Sequence, residues 1–519
     1  STYRPVVEPV REIEEIWALE DAREESGEPL VTRLFCNGIP MVYDAENNVF
    51  YGSLGLENGA QWPKIKLTAS EETAKGLSLC FADDYGFDDC DAAIREGYSY
   101  QIFAYTDTAY SYAEVVFTGL PLVNVTAEQT IEREDVPAQI EIALAAEGLQ
   151  TNGRIHKRGG ASILNDKVGY KLEFTRTTDG KKKIYREIPG MGTDSQVILL
   201  PMNALDTTMM RDRLSWALYA RLTRRDEPFS ARKTQYCELF LNGEYRGVYL
   251  MLEPFSVRQE VAKAGEERLT TDSVYRTAVI SLSHGRPCME DPYSAATGFE
   301  LYYPMDGEPD FSPLADYFAL LGETDDAAFM RRAAQIIDLD SALRYDVVLQ
   351  LFGLTDNVIN NMYTWAQNSR GHTRYRFDFW DLDVSWGLKR DEIGEMHENW
   401  VFFPLVDRLL RADEEGGVRK RYGEIYREVR EKAFDAETVE ALVGQYAHEL
   451  NDSGAMARNA ERWETENYAA DGYELVAFAA ERIALLDEPV RAMSAGEEID
   501  LRFLEKTNYD DKGTPLSEE

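Results

Sequence analysis

Leu354-Thr-Asp-Asn-Val-Ile-Asn-Asn-Met-Tyr-Thr-Trp365 and, one hairpin further on, Phe379-Trp-Asp-Leu-Asp-Val-Ser-Trp-Gly387 are the two stretches on which the fold reading turns. Asp356 closes an apolar helical run, and Asn361 follows at the fifth position after it. Asp381 and Asp383 then sit at the end of the strand that returns from the hairpin. An Asp, an Asn at +5 and a later strand-end Asp give the spacing that a metal-dependent phosphoryl-transfer centre needs. Carboxylate and amide oxygens are natural ligands for a hard cation on nucleotide phosphates. A separate carboxylate must meet an acceptor hydroxyl and orient it. Taken singly, each of these residues is ordinary turn chemistry.

Two upstream stretches give the spacing its weight. Arg154-Ile-His-Lys-Arg-Gly-Gly-Ala-Ser-Ile-Leu-Asn-Asp-Lys-Val-Gly-Tyr-Lys-Leu-Glu-Phe174 is a local basic cluster in an acidic chain. Gly159-Gly160 permits close backbone approach to a phosphate. Lys167 and Lys171 supply point charges, and Arg158 a guanidinium fork. Cys237-Glu-Leu-Phe-Leu-Asn-Gly-Glu-Tyr-Arg-Gly-Val-Tyr-Leu-Met-Leu-Glu-Pro-Phe255 reads as a hairpin about Asn242-Gly243. Its return strand ends at Glu253-Pro254, where hinge backbone could pair with an adenine edge, though the residues alone favour an ordinary hairpin.

Working outward, residues 1–29 form an acidic segment with one short amphipathic helix within Val10–Glu25. Residues 30–118 alternate short strand-like runs with turn signals, the pattern of a β-sandwich accessory domain. Residues 119–255 mix strands with a helix at Asp206–Leu222, capped by Asp206 or Thr207. Residues 256–504 begin with an irregular insertion, with strands around Val274–Leu282 and Phe299–Tyr303, and become mostly helical from Pro313, interrupted by the hairpin from Asn361–Ala366 to Tyr375–Trp380. Residues 505–519 read as a polar tail.

The 519 residues predict about two to four structural units. With 44% apolar and 11% aromatic residues, the chain can fill large cores. A formal charge of −38 repels nucleic-acid phosphates, which argues against general DNA or RNA binding; it fits first a solvated acidic surface and, as the sharper alternative, a basic protein partner. The five cysteines form no CxxC pair, and Cys80 and Cys90 are close enough in sequence to bridge across a hairpin. No apolar run reaches the roughly 18 residues of a membrane span. No signal peptide is visible, and the start at Ser1-Thr-Tyr-Arg-Pro5 suits either a trimmed chain or a mature form from which one has been removed.

In their order, these stretches resemble the CotH family, atypical protein kinases named for a spore-coat protein. The resemblance runs through Arg158-Gly-Gly-Ala-Ser162 with Lys167, Tyr170 and Lys171, then Met210-Arg-Asp-Arg-Leu214, then Leu241–Glu253, then Asp356–Tyr363, and last Trp380–Gly387. It covers about residues 119–490. It implies an α+β fold with a strand-rich N-lobe at 119–255 and a helix-rich C-lobe at 256–504. It also implies ATP with Mg²⁺ or Mn²⁺, and transfer to Ser or Thr of a protein substrate, for which a basic, Ser-rich acceptor is one option. Asp356 would be the catalytic carboxylate. Asn361 and Asp381 would bind the metal, with Asp383 in support. Arg158 and either Lys167 or Lys171 would contact phosphates, and Met251 and Glu253 would line the nucleotide. The implied setting is extracellular, cell-surface or spore-associated in a bacterium.

Two other classes compete. A catalytically inactive pseudokinase or surface adhesion module would account for the added β-rich region. A glycoside hydrolase needs two carboxyls about 5–10 Å apart across a groove. That class leaves the Arg-Gly-Gly segment and the Asn-Gly hairpin unexplained.

Overall fold

A computed structural model of the chain describes residues 4–56, 65–70, 76–82, 90–202, 206–277, 298–388, 400–401, 403–465 and 470–497. The expected polar tail, Cys288 and the distal part of the strand expected at Val274–Leu282 lie outside these residues. The fold is mixed α+β.

Alternation decides the middle of the chain. In Gly169–Thr175 the residues Tyr170, Leu172 and Phe174 turn inward, and Lys171 and Glu173 turn outward. The strands Leu122–Thr126, Val136–Leu144, Glu147–Arg158, Gly169–Thr175, Gln196–Leu200, Glu244–Leu252 and Thr234–Leu241 are neighbours in that order. The last pairs with the first in parallel, Leu239 opposite Val123, so the sheet closes into a barrel. Closure removes the exposed edge of unpaired N–H and C=O groups. Val123, Ile140, Ile155, Leu172, Leu199, Leu239 and Met251 fill the interior. Leu122–Thr126 and Gln196–Leu200 were not expected as strands. The run Val197-Ile-Leu-Leu200 has no alternation to separate a buried strand from a helical segment.

Residues 34–118 build two sheets whose inner faces share one core, including Leu34, Phe50, Leu67, Leu79, Ile102 and Val115. The acidic N-terminal stretch is part of this structure. Val7–Glu8 pairs with Leu79–Cys80, and Glu24–Glu25 pairs with Ala109–Tyr110. The helix Ile13–Asp21 lays Ile16 against Cys80 and Phe103. Cys36, Cys80, Cys90 and Cys237 are buried and not disulfide-bonded, so the bridge considered for Cys80 and Cys90 is not formed. The two belong to different cores: Cys80 packs with Ile16, and Cys90 with the residues around Cys36.

The chain divides into two compact units, each discontinuous in sequence. A barrel unit comprises residues 1–207, 233–254 and 444–471. A helical unit comprises residues 208–232, 255–443 and 472–519. The contiguous segments expected from sequence did not provide for this exchange. The helix expected at Asp206–Leu222 is Arg211–Tyr219, and it belongs to the helical unit. Its start is displaced from Asp206 and Thr207 because the Thr208 hydroxyl takes the Met210 N–H, at 3.2 Å, ahead of the first turn. The helical unit also holds an antiparallel sheet in the order Phe299–Tyr303, Ser273–Thr277, Met362–Ser369, His372–Phe379.

Candidate active site

The helical unit builds its acidic centre on a helix end and a hairpin mouth. Helix Leu339–Phe352 starts at Asp338, whose carboxylate accepts the Ser341 N–H at 3.1 Å. It ends at Gly353 in the left-handed region, φ 65°. The chain then makes a one-turn helix, Asp356–Ile359, braced by the Tyr345 hydroxyl, which donates to Asn357 O at 2.6 Å. Strands Met362–Ser369 and His372–Phe379 pair in register, Met362 opposite Phe379. That pairing brings the residues just outside the hairpin together. The Trp380 N–H donates to Asn361 O at 3.0 Å, and Asn357 Nδ2 donates to Trp380 O at 2.8 Å. Asn361 and Asp381 both have positive φ, 55° and 57°. Asn and Asp tolerate that region better than most residues with a Cβ.

Asn361 Nδ2 donates to Asp356 Oδ2 at 2.9 Å. The bond turns the amide nitrogen toward Asp356 and leaves the amide oxygen as the end that can meet a cation. Asp356 and Asn361 are buried, and Asp381 and Asp383 are half-buried. Burial, followed by the carboxylates of Asp381, Asp212 and Asp356, pushes the Asp383 carboxyl well above the usual carboxylate range. The structure therefore gathers all four sequence-predicted residues of this unit. It adds Asp212, which the sequence reading left without a role. The available signal was an acid in the first turn of a helix, inside the Met210–Leu214 motif.

The loop after Asp381 is held from the Arg211–Tyr219 helix. Arg211 Nε donates to Ser385 O at 3.0 Å, and Trp386 Nε1 donates to Ser215 Oγ at 2.9 Å. Trp386 also stacks on Phe352 and Phe434, with ring centroids 5.3 and 5.4 Å apart. These contacts fix Leu382–Trp386 on both sides.

The donor set suits a hard divalent ion. It is all oxygen, and its carboxylates crowd one another in a way that a cation would relieve. Among the described residues, no three His, Cys, Asp or Glu side chains form a group that could hold a metal ion by themselves. The fit therefore relies on the Asn361 amide oxygen and on oxygens from a nucleotide, the usual arrangement for Mg²⁺.

The barrel unit places its own candidates differently. Lys167 Nζ donates to Val248 O at 2.5 Å and to Asn459 Oδ1 at 3.1 Å, and it lies 5.0 Å from the Tyr249 ring centre. Burial lowers its pKa to about 7. Lys171 stands on the outer face opposite His156, and burial followed by nearby Lys183 lowers its pKa. Arg158 ends the preceding strand beside Gly159, φ 129°. That φ disfavours any residue with a Cβ, which would also lie 2.4 Å from Ser162 Oγ. Met251 faces the barrel interior, with Gln235 and Leu199 as partners on either side. Its side chain and its ladder-paired backbone do not provide the free edge expected of a hinge. The Glu253 N–H donates to Lys233 O at 2.9 Å, and its carboxylate accepts the Lys233 N–H at 3.0 Å. Glu253 thus closes the strand end.

A family model described as CotH kinase protein matches residues 155–486, well over half of the chain. No curated protein matches the chain.

Proposed function

Because the chain belongs to the CotH kinase protein family, we propose that it is a metal-dependent atypical protein kinase transferring the γ-phosphoryl group of ATP to Ser or Thr of secreted or surface proteins. The observation that carries the reading is the convergence of Asp356, Asn361, Asp381 and Asp383 at one hairpin mouth, with Asp383 raised by its neighbours. In this reading Asn361 and Asp381 hold Mg²⁺ or Mn²⁺, and Asp383 supports Asp381. The cation, when bound, neutralises charge on the phosphates. Asp356 orients the acceptor hydroxyl and accepts its proton, and the Asn361 amide holds that carboxylate in place. Arg158 and Lys171 contact the nucleotide phosphates. Lys171 is favoured over Lys167 because Lys167 is already bonded to Val248 and Asn459.

The same proposal includes the two-lobed kinase-like layout and a β-sandwich in residues 30–118, the latter supported by the core that two sheets share. It also includes an extracellular, cell-surface or spore-associated setting in a bacterium. Among the described residues, no helix is long and apolar enough to cross a membrane.

Incubation with γ-labelled ATP and Mg²⁺ or Mn²⁺ tests the activity. Label is expected on the protein itself or on a basic, Ser-rich acceptor, and Asp381→Ala should reduce it at least about 100-fold. Equal labelling by the variant, or none by the wild type, would sink the proposal. Calorimetry separates it from a purely adhesive role, which requires no Mg²⁺-dependent affinity for ATP.

A further inference from the structure

The outer face of the barrel carries a polar ladder that the kinase reading does not use. Asn124 stands opposite Glu141, and Glu141 opposite Gln150. The Glu141 carboxylate accepts from Arg33 Nη2 at 2.9 Å, Gln150 Nε2 at 2.6 Å and Asn124 Nδ2 at 3.1 Å. This ladder borders a cleft of about 260 Å³. Its remaining walls include Met41 and Tyr43 from the N-terminal sheets and the Asn242-Gly243 turn. All of these residues belong to the barrel unit.

The hydrogen-bond inventory shows what the cleft lacks. Asn124 gives its amide nitrogen to Glu141, and its Oδ1 is buried with no hydrogen-bond partner among the described residues. That oxygen requires a donor. Asn242 Oδ1 accepts the Ala127 N–H at 2.8 Å, which leaves its Nδ2 as the end that can donate. Tyr43 stacks on Phe50 with centroids 4.5 Å apart and donates its hydroxyl to Asn48, so its ring is a fixed apolar wall beside Met41. Arg33 and Glu141 cancel each other's charge, and the other walls named are neutral.

A fitting ligand is therefore uncharged, carries hydroxyls that both donate and accept, and offers a small C–H face. The cleft is slightly below the roughly 300 Å³ at which typical small-molecule sites begin. We propose that it binds one neutral pyranose sugar residue. Of its walls, only the Asn242-Gly243 turn lies within the segment matched to the family, so the site belongs mainly to what this chain adds.

The test is titration calorimetry of the full chain with methyl glycosides of glucose, galactose, mannose and N-acetylglucosamine, with inorganic phosphate as the charged control. At least one glycoside is expected to bind saturably. Arg33→Ala and Asn124→Leu should each weaken it up to about tenfold, the worth of one hydrogen bond. Arg33 is 45% exposed in its side chain, so its variant decides the matter if Asn124→Leu fails to fold. Absence of binding by every glycoside, unchanged affinity in Arg33→Ala, or competition by phosphate would overturn the proposal.

Discussion

Lys167 and Lys171 are close in sequence, and the structure gives them different work. From the residues alone, either could contact phosphates. Only the packing shows that Lys167 is bonded to the Glu244–Leu252 strand and to Asn459. Its pKa falls from 10.5 to about 7, so the unfolded chain holds the proton over a range in which the folded chain has released it. A depressed folded pKa contributes stability above the unfolded value, and that stability is lost as pH falls through the folded one. Wild type should therefore gain stability relative to Lys167→Met as pH rises from about 7 toward 10.5. Urea melts across that range check it, and parallel curves would show that the lysine does not titrate there. At the acidic centre, the +5 spacing of Asp356 and Asn361 was legible, because one helical turn and one hydrogen bond join them. Asp212 was not legible, since its approach to Asp383 depends on how its helix packs.

At the scale of elements, helix Leu339–Phe352 sets the position of Asp356 through its two ends and its buried side. Gly353 closes it at φ 65°, and a Cβ there would lie 2.7 Å from Phe478 Cζ. Gly353→Ala should cost about 1–3 kcal/mol, measured by chemical denaturation, through strain in the left-handed region together with that contact. A change under about 0.5 kcal/mol would mean that Phe478 moves aside freely. Within the same helix, Asp346 accepts from the Tyr422 hydroxyl at 2.8 Å and from Gln350 Nε2 at 3.2 Å. Burial nevertheless dominates and raises its pKa from 3.8 to about 8. A raised carboxyl contributes stability in full below the unfolded value and loses it as pH rises through the folded one. Asp346→Asn should therefore show a smaller fall in stability than wild type between pH 3.8 and about 8. An identical slope in the variant would contradict a neutral Asp346. The sequence located this helix through its long apolar run and the later hairpin through the alternation of its return strand. It left the two unexpected barrel strands unread, because short apolar runs do not distinguish strand from helix.

At the scale of the whole molecule, a formal charge of −38 creates a long-range negative field. If the acceptor is recognised through that field, raising salt from about 0.05 to 0.5 M should increase KM for a basic, Ser-rich peptide several-fold. kcat should change little, since the field acts on encounter rather than on bond formation. Steady-state kinetics at two salt concentrations measure this. An unchanged KM would place recognition in short-range contacts instead.

By itself, the sequence determined the family, the order of most elements and, Asp212 apart, the residues of the acidic centre. All of these rest on local spacing: a helical run, a +5 pair, a hairpin of fixed register and glycines at strained turns. The tertiary structure alone decided which distant segments share a unit. Residues 444–471 join the barrel unit, where Arg458 donates twice to the buried Glu238 carboxylate at 2.8 Å and Asn459 receives Lys167. Residues 208–232 join the helical unit and bring Arg211 and Asp212 to the loop after Asp381. The physical reason is that such pairings are set by complementary buried surfaces far apart in the chain, and no local periodicity encodes them.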